Sequence, residues 1–218
     1  MIELLLKVLA SYLLGSLIGS LIVGKLRGGV DIRTLGSGNA GGTNALRTQG
    51  KSFALWVMLI DIGKGIVATR LIAPLSLQGL GLAGGGVWSE WLPVLCGLAA
   101  IIGHVYPLWF GFRGGKGVAT LVGVVFGVEP ILLGVVLVVW LVMVMLFGFV
   151  SLGSIVAAIS IAVVVAATGM QPYGPLLSFG IAVALLVAFT HRSNLARMRA
   201  GTEPRARRLW LLGRRRVS

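Results

Sequence analysis

The sequence predicts an all-α integral membrane protein of seven transmembrane helices, with its N-terminus outside, its C-terminus cytoplasmic and its polar motifs gathered at the cytoplasmic face. Three observations predict it. First, 57% of the 218 residues are hydrophobic, mean hydropathy is +0.99 and only 11% are charged, which is more apolar surface than a soluble core needs. Second, apolar runs of about 17 to 25 residues, the length that crosses a bilayer core, recur along the chain. Third, the basic residues concentrate in alternate connections between those runs.

The runs lie near 3–24, 53–74, 92–110, 117–129, 131–147, 150–168 and 175–190. The first is too long for a signal-peptide core and lacks a small-residue cleavage site, so it reads as a retained helix. Within it, Gly15-x-x-x-Gly19 and Ser16-x-x-x-Ser20 form adjoining strips of small residues suited to close helix packing. The second run carries Asp61 and Lys64, three apart on one face. A charge at that depth costs about 2.5–3.5 kcal/mol on insertion scales; the two either pair structurally or reach toward a site. The third ends beyond His104 at Pro107. The fourth, at 1.5 Å per residue, spans only about 20 Å. The lone Cys96 excludes an internal disulfide and sits in apolar sequence as core filler.

Charge then sets orientation. The connection 25–52 holds Lys25, Arg27, Arg33, Arg47 and Lys51; 111–116 holds Arg113 and Lys116. The tail holds Arg192, Arg197, Arg199, Arg205, Arg207, Arg208, Arg214, Arg215 and Arg216. With seven helices, these sixteen of nineteen basic residues share one side, and the opposite loops carry only Glu90, Glu129 or no charge. The positive-inside rule makes the shared side cytoplasmic. A net charge of +13 would suggest nucleic acid in a soluble protein; here it faces anionic lipid. Residues 1–204 read as one membrane domain and 205–218 as a basic cytoplasmic tail, whose run from Arg205 to Arg216 with its apolar centre suits a membrane-surface anchor.

Three polar segments fall on that side. The first loop reads Leu35-Gly-Ser-Gly-Asn-Ala-Gly-Gly-Thr-Asn-Ala-Leu-Arg47. Ser37, Asn39, Thr43 and Asn44 offer neutral hydrogen-bonding groups, Gly38 offers exposed backbone and Arg47 a planar charged fork, together an anion cradle. The second runs from Gly103-His104 to Gly114-Gly115-Lys116-Gly117-Val118-Ala-Thr120. Glycines there let backbone N–H groups approach an anion, and a helix beginning at Gly117 or Val118 adds its dipole. The pattern is not a P-loop, because Gly117 stands where Ser or Thr is required. His104 is either a satisfied structural residue or part of the site's rim. The third segment is His191-Arg-Ser-Asn194-Leu-Ala-Arg197, with Ser151 and Ser154 on the same membrane side. These serines either cap and back-bond their helix or join the site. His191 can exchange protons near neutral pH.

Absences narrow the chemistry. Neither histidine is followed by Asp five residues on, and no spaced Asp cluster is present, which excludes the H-x-x-x-x-D acyltransferases and the metal-dependent CDP-alcohol phosphotransferases. One cysteine, two distant histidines and few carboxylates make no metal site. A transporter or channel for a small organic phosphate or other anion is the rival class, weakened by the absence of an internal repeat.

Taken together, Ser37-Gly-Asn-Ala-Gly-Gly-Thr-Asn-Ala-Leu-Arg47, Gly103-His-Val-Tyr-Pro through Gly-Gly-Lys-Gly-Val-Ala-Thr120, and His191-x-x-Asn194 through Gly201-Thr-Glu203 resemble the bacterial acyl-phosphate:glycerol-3-phosphate acyltransferases, the PlsY family, over nearly the whole chain. The resemblance implies transfer of a fatty acyl group from acyl phosphate to the 1-hydroxyl of glycerol 3-phosphate, giving lysophosphatidic acid and phosphate early in phospholipid synthesis. It implies a multi-pass protein of the bacterial inner membrane, with no cofactor, no nucleic acid and no obligate protein partner. Lys116, His191, Arg47 and Ser37 are the expected catalytic residues. Ser37, Gly38, Asn39, Thr43, Asn44, Arg47, His104, Gly114, Gly115, Lys116, Gly117, Ser151, Ser154, His191 and Asn194 are the expected phosphate-binding set. Departures from the family pattern are Gly42 for Ala, Tyr106 for Phe, and Gly148 where a basic residue often precedes the Ser-Leu-x-Ser turn.

Overall fold

The computed structural model describes residues 1–80 and 88–212; Arg214, Arg215 and Arg216 of the expected anchor lie outside the described residues. The chain divides into two compact units, Met1–Glu129 and Pro130–Ser218. The described residues contain helices and turns and no strand.

The first unit contains α1 (Ile2–Gly15), α2 (Gly19–Leu26), α3 (Gly42–Gln49), α4 (Lys51–Val67), α5 (Leu92–Val105) and α6 (Val118–Val128). Its helices cross closely because glycines stand at the contacts. A Cβ on Gly15 would overlap the Ala100 backbone, and one on Gly103 the Tyr12 backbone, which fixes α1 against α5. Gly65 and Gly123 play the same part between α4 and α6. Between α2, α3 and α4, Val23, Ile32, Ala45, Phe53, Ala54 and Val57 form one apolar cluster.

The expected first span is broken. α1 and α2 meet at a 46° bend across Ser16–Ile18. A break inside a bilayer strands backbone groups that only protein can satisfy. Here Lys64 Nζ donates to Leu17 O at 2.8 Å, and Gly19 N donates to Asp61 Oδ1 at 3.1 Å. The cation therefore meets the carbonyl end of α1 and the carboxylate the amide end of α2, the pairing the two helix dipoles favour. This accounts for the two charges noted at depth in the sequence.

The second unit is an up-and-down set, α7 (Pro130–Phe147), α8 (Val150–Thr168) and α9 (Tyr173–Thr190), followed by the short α10 (Arg192–Arg199). Only 17% of α7 is buried, so most of it is available to lipid. The tail folds back onto the corner between α7 and α8. Ala206 N donates to Gly148 O at 2.8 Å, Leu211 N to Met145 O at 3.0 Å and Trp210 Nε1 to Leu146 O at 3.1 Å. Arg205 stacks between the Phe149 and Trp210 rings at 4.7 and 4.1 Å. Gly148 has φ +79°, and any side chain there would run into Trp210, which explains glycine at that departure.

Among the described residues, five helices are long and apolar enough to cross a membrane, and a sixth if the bent α1–α2 pair makes one crossing. α6, the weak fourth run, is apolar but only 11 residues long.

Candidate active site

In the first unit the loop after α2 is shaped by Asn44. Its buried amide accepts from Ser37 N at 3.0 Å and donates to Ile32 O, Leu35 O and Asn39 O at 3.0–3.1 Å. Asn44 therefore spends both ends of its amide on the loop's own backbone, while Ser37, Gly38, Thr43 and Arg47 are exposed and Asn39 is half-buried. Ser20 Oγ adds an anchor, donating to Ala40 O at 2.8 Å.

Arg33, which the sequence marked only as a topology charge, joins this loop to the second motif. Its guanidinium forms hydrogen bonds to Asp31 at 2.7–3.1 Å and reaches across to Phe110 O at 3.2 Å and Arg113 O at 3.1 Å. The hydrogen bonds from Arg33 hold the Asp31 carboxyl below the usual carboxylate range. No sequence signal marks this role, because the distant partners are main-chain carbonyls.

The turn after Pro107 is tight: Gly111 has φ +65° and Phe112, with a side chain, φ +58°. Gly114 N donates to Val105 O and Gly115 N to His104 O, both at 3.1 Å. Two of the N–H groups expected to face an anion are thus used to turn the chain back along the end of α5. Glycine is required at both positions, because a Cβ on Gly114 would overlap His104 O and one on Gly115 the His104 ring. Gly117 caps α6 in the left-handed region at φ +83°, so the helix begins at Val118 and its first-turn N–H groups and dipole open beside the half-buried Lys116. His104 is buried at the end of α5, its Nδ1 2.9 Å from Lys64 Nζ.

In the second unit the organiser is Glu203, which the sequence offered only as the last residue of a motif. Its Oε1 accepts from Asn194 Nδ2 at 2.7 Å and Ser151 Oγ at 2.9 Å, and its Oε2 from Arg197 Nε at 2.8 Å. Burial alone would raise the Glu203 carboxyl, but these three hydrogen bonds outweigh it and hold the group below its ordinary value. Asn194 and Arg197 do share a face of α10, and Ser151 joins them through the same carboxylate. Ser154 instead back-bonds to Val150 O at 3.0 Å, the commoner fate of a helix serine. His191, buried at the junction of α9 and α10, places Nδ1 2.8 Å from Val187 O. A carbonyl only accepts, so Nδ1 carries a proton and, in the neutral ring, Nε2 carries the lone pair.

Chemically, the first unit presents a loop and a turn rich in cations, amides and helix-start N–H groups, suited to phosphate. The second presents hydrogen-bonding groups around a buried imidazole.

Comparison with known proteins shows the family. The family model described as glycerol-3-phosphate acyltransferase matches residues 5–201. A glycerol-3-phosphate acyltransferase of Synechococcus sp. (strain JA-2-3B'a(2-13)) is 43% identical over 211 residues, covering 96% of this chain and 98% of that one. Another, from Chlorobium luteolum, is 38% identical over 226 residues, covering 92% and 96%. The crystal structure of PlsY, an integral membrane glycerol 3-phosphate acyltransferase, in its glycerol 3-phosphate form superposes with a TM-score of 0.78 at 37% identity, covering 93% of this chain and 94% of that one. Its lysophosphatidic acid form gives 0.77. Nothing in these comparisons supports the transporter reading. The chain belongs to the glycerol-3-phosphate acyltransferase family.

Proposed function

We propose that this protein transfers a fatty acyl group from acyl phosphate to the 1-hydroxyl of glycerol 3-phosphate, releasing lysophosphatidic acid and inorganic phosphate. The observation that carries the reading is the Arg33 bridge. It locks the Ser37–Arg47 loop to the segment that leads into Gly114–Gly117, so two phosphate-suited elements stand together on one rigid support. Both proposed substrates carry a phosphate, and holding both in place supplies up to about 7–11 kcal/mol of positioning advantage.

Acyl phosphate is already activated, so the glycerol hydroxyl attacks its carbonyl directly and no enzyme nucleophile is needed. In this reading Lys116 and Arg47 offset the charge of the departing phosphate, each contact worth roughly 3–4 kcal/mol. Ser37, Gly38, Asn39 and Thr43 hydrogen-bond phosphate oxygens, and the α6 N-terminus adds its dipole. His191 takes the hydroxyl proton on Nε2, because Val187 O occupies Nδ1. Within the second unit Glu203 orients Asn194 and Ser151 as further phosphate-binding groups in this reading, and in the first unit Asn44 acts through the shape of the loop.

The same reading carries the topology. Residues 1–204 act as one seven-crossing domain of a bacterial inner membrane, with α6 as the short crossing, the N-terminus outside, and the active site and basic tail cytoplasmic. Seven crossings would gather sixteen of the nineteen basic residues, those of 25–52, 111–116 and the tail, on one side, which supports it.

The test is direct. Purified protein given acyl phosphate and glycerol 3-phosphate is expected to form lysophosphatidic acid and phosphate in equal amounts, with neither substrate sufficient alone. Folded protein that forms no product refutes the proposal.

A further inference from the structure

Lys64 is buried, 4% exposed, and its ammonium has three protons. The structure offers three acceptors at hydrogen-bond distance: Leu17 O at 2.8 Å, Asp61 Oδ1 at 3.0 Å and His104 Nδ1 at 2.9 Å. Lysine has no lone pair to give while charged, so His104 Nδ1 must accept. Asp61 Oδ1 also lies 3.4 Å from His104 Nδ1, but a proton on that nitrogen would point at the closer ammonium, and the shorter contact decides. His104 is therefore a neutral ring with its one proton on Nε2.

That proton has a defined direction. A Cβ built on Gly115 would overlap His104 Nε2, so the ring edge fills the space a side chain of residue 115 would take. The neighbouring backbone is fixed by Gly115 N donating to His104 O. The imidazole thus supplies, from α5, a neutral N–H donor at the position the glycine turn leaves without a side chain, one residue before Lys116. The node also ties three otherwise separate features: the broken α1–α2 junction, the α4 charge pair, and the turn that opens α6.

We propose that Lys64, seated by Asp61, is a positioning residue for this reaction: it fixes His104 as the Nε2–H tautomer so that the ring donates to the phosphate held at the Gly114–Gly117 turn. The kinetic consequence rests on the acyl-transfer reading; the tautomer does not.

The sequence makes the test clean, because His104 and His191 are the only histidines, and the structure gives them opposite protonation sites. In full-length protein labelled with ¹⁵N-histidine, long-range ¹H–¹⁵N spectra are expected to show His104 protonated on Nε2 alone and His191 protonated on Nδ1, with His191→Gln used to assign the two rings. Removing both charges with Asp61→Asn and Lys64→Met avoids stranding one ion in the membrane. In that variant His104 is expected to lose its single tautomer, His191 to keep its pattern, and KM for glycerol 3-phosphate or acyl phosphate to rise about tenfold with a smaller change in kcat. If the double variant does not fold, the wild-type spectrum still decides: His104 protonated on Nδ1, or doubly protonated at neutral pH, overturns the proposal. An unchanged KM for both substrates in a folded double variant whose His104 has lost its tautomer also overturns it. Failure of the acyl-transfer reading would look different, with no product from wild type while the wild-type tautomers stand as expected.

Discussion

Each unit of this molecule interrupts a helix at its polar region, and each uses a carboxylate to organise the interruption, but the two solve the problem differently. In the first unit Asp61 and its partners are almost wholly buried; Lys64 is three residues away on α4, but Gly19 on α2 and His104 on α5 are each more than 40 residues distant. In the second, Glu203 gathers Asn194 and Arg197 from within nine residues, with Ser151 the one distant partner, and the Arg197 side chain is 37% exposed. Burial explains the difference. The broken α1–α2 backbone is shut away from solvent, with Ser16, Ile18 and Asp61 fully buried, so its freed groups need charged partners from distant chain. Around Glu203, where Arg197 is partly exposed, solvent shares the work and a local hairpin suffices.

The comparison breaks most visibly at Asp61. Asp61→Ala leaves Lys64 charged and buried and Gly19 N without its acceptor, an expected loss of about 3–5 kcal/mol. Thermal unfolding in detergent should show a far larger drop than for Glu203→Gln; equal drops would mean burial does not set the cost. Lys116→Ala separates scaffold from chemistry within the first unit. The expected loss in turnover is at least about a hundredfold, about 2.7 kcal/mol, with the melting temperature nearly unchanged, and near-normal turnover would move charge stabilisation to another residue. Arg33→Lys keeps the charge but not the fork that spans Asp31, Phe110 O and Arg113 O. A roughly tenfold rise in KM with kcat little altered is expected from steady-state kinetics, and unchanged KM would deny the bridge its role.

The smallest effect belongs to Glu203 and appears as a pH dependence. Its folded pKa lies below the unfolded value, burial raising it but the Asn194, Arg197 and Ser151 hydrogen bonds lowering it more. Its contribution to stability is therefore fully present above the unfolded carboxylate range, near pH 4.5, and is lost as pH falls through the lower folded value. Between neutral pH and that acidic window, the stability gap between wild type and Glu203→Gln should narrow; a constant gap would exclude the linkage.

Much of this was legible in the sequence, and what was not has identifiable causes. Apolar runs gave the helices nearly to the residue, as at Val150–Thr168. They hid the bend at Ser16–Ile18, because Leu17 and Ile18 continue the apolar pattern and only partners from α4 show that the backbone opens there. The motif glycines were readable as a turn, but which N–H groups face outward depends on α5, whose carbonyls take those of Gly114 and Gly115. Asn44 looked like a ligand because an amide beside glycines suits phosphate equally well as loop backbone. Arg33 and Glu203 acquired roles only when distant chain came within reach, and no periodicity encodes that. Gly148 read as a lost cation; the returning tail instead sets Trp210 against it and Arg205 between two rings.

The proposed topology, with the polar motifs of each unit on the cytoplasmic side, is what the proposed function depends on most. Single cysteines at the exposed positions Arg113 and Arg199, in a Cys96→Ser background, test it with a membrane-impermeant thiol reagent applied to sealed vesicles of known orientation. The account predicts labelling of both positions only from the cytoplasmic side. Labelling of the two from opposite sides would contradict it.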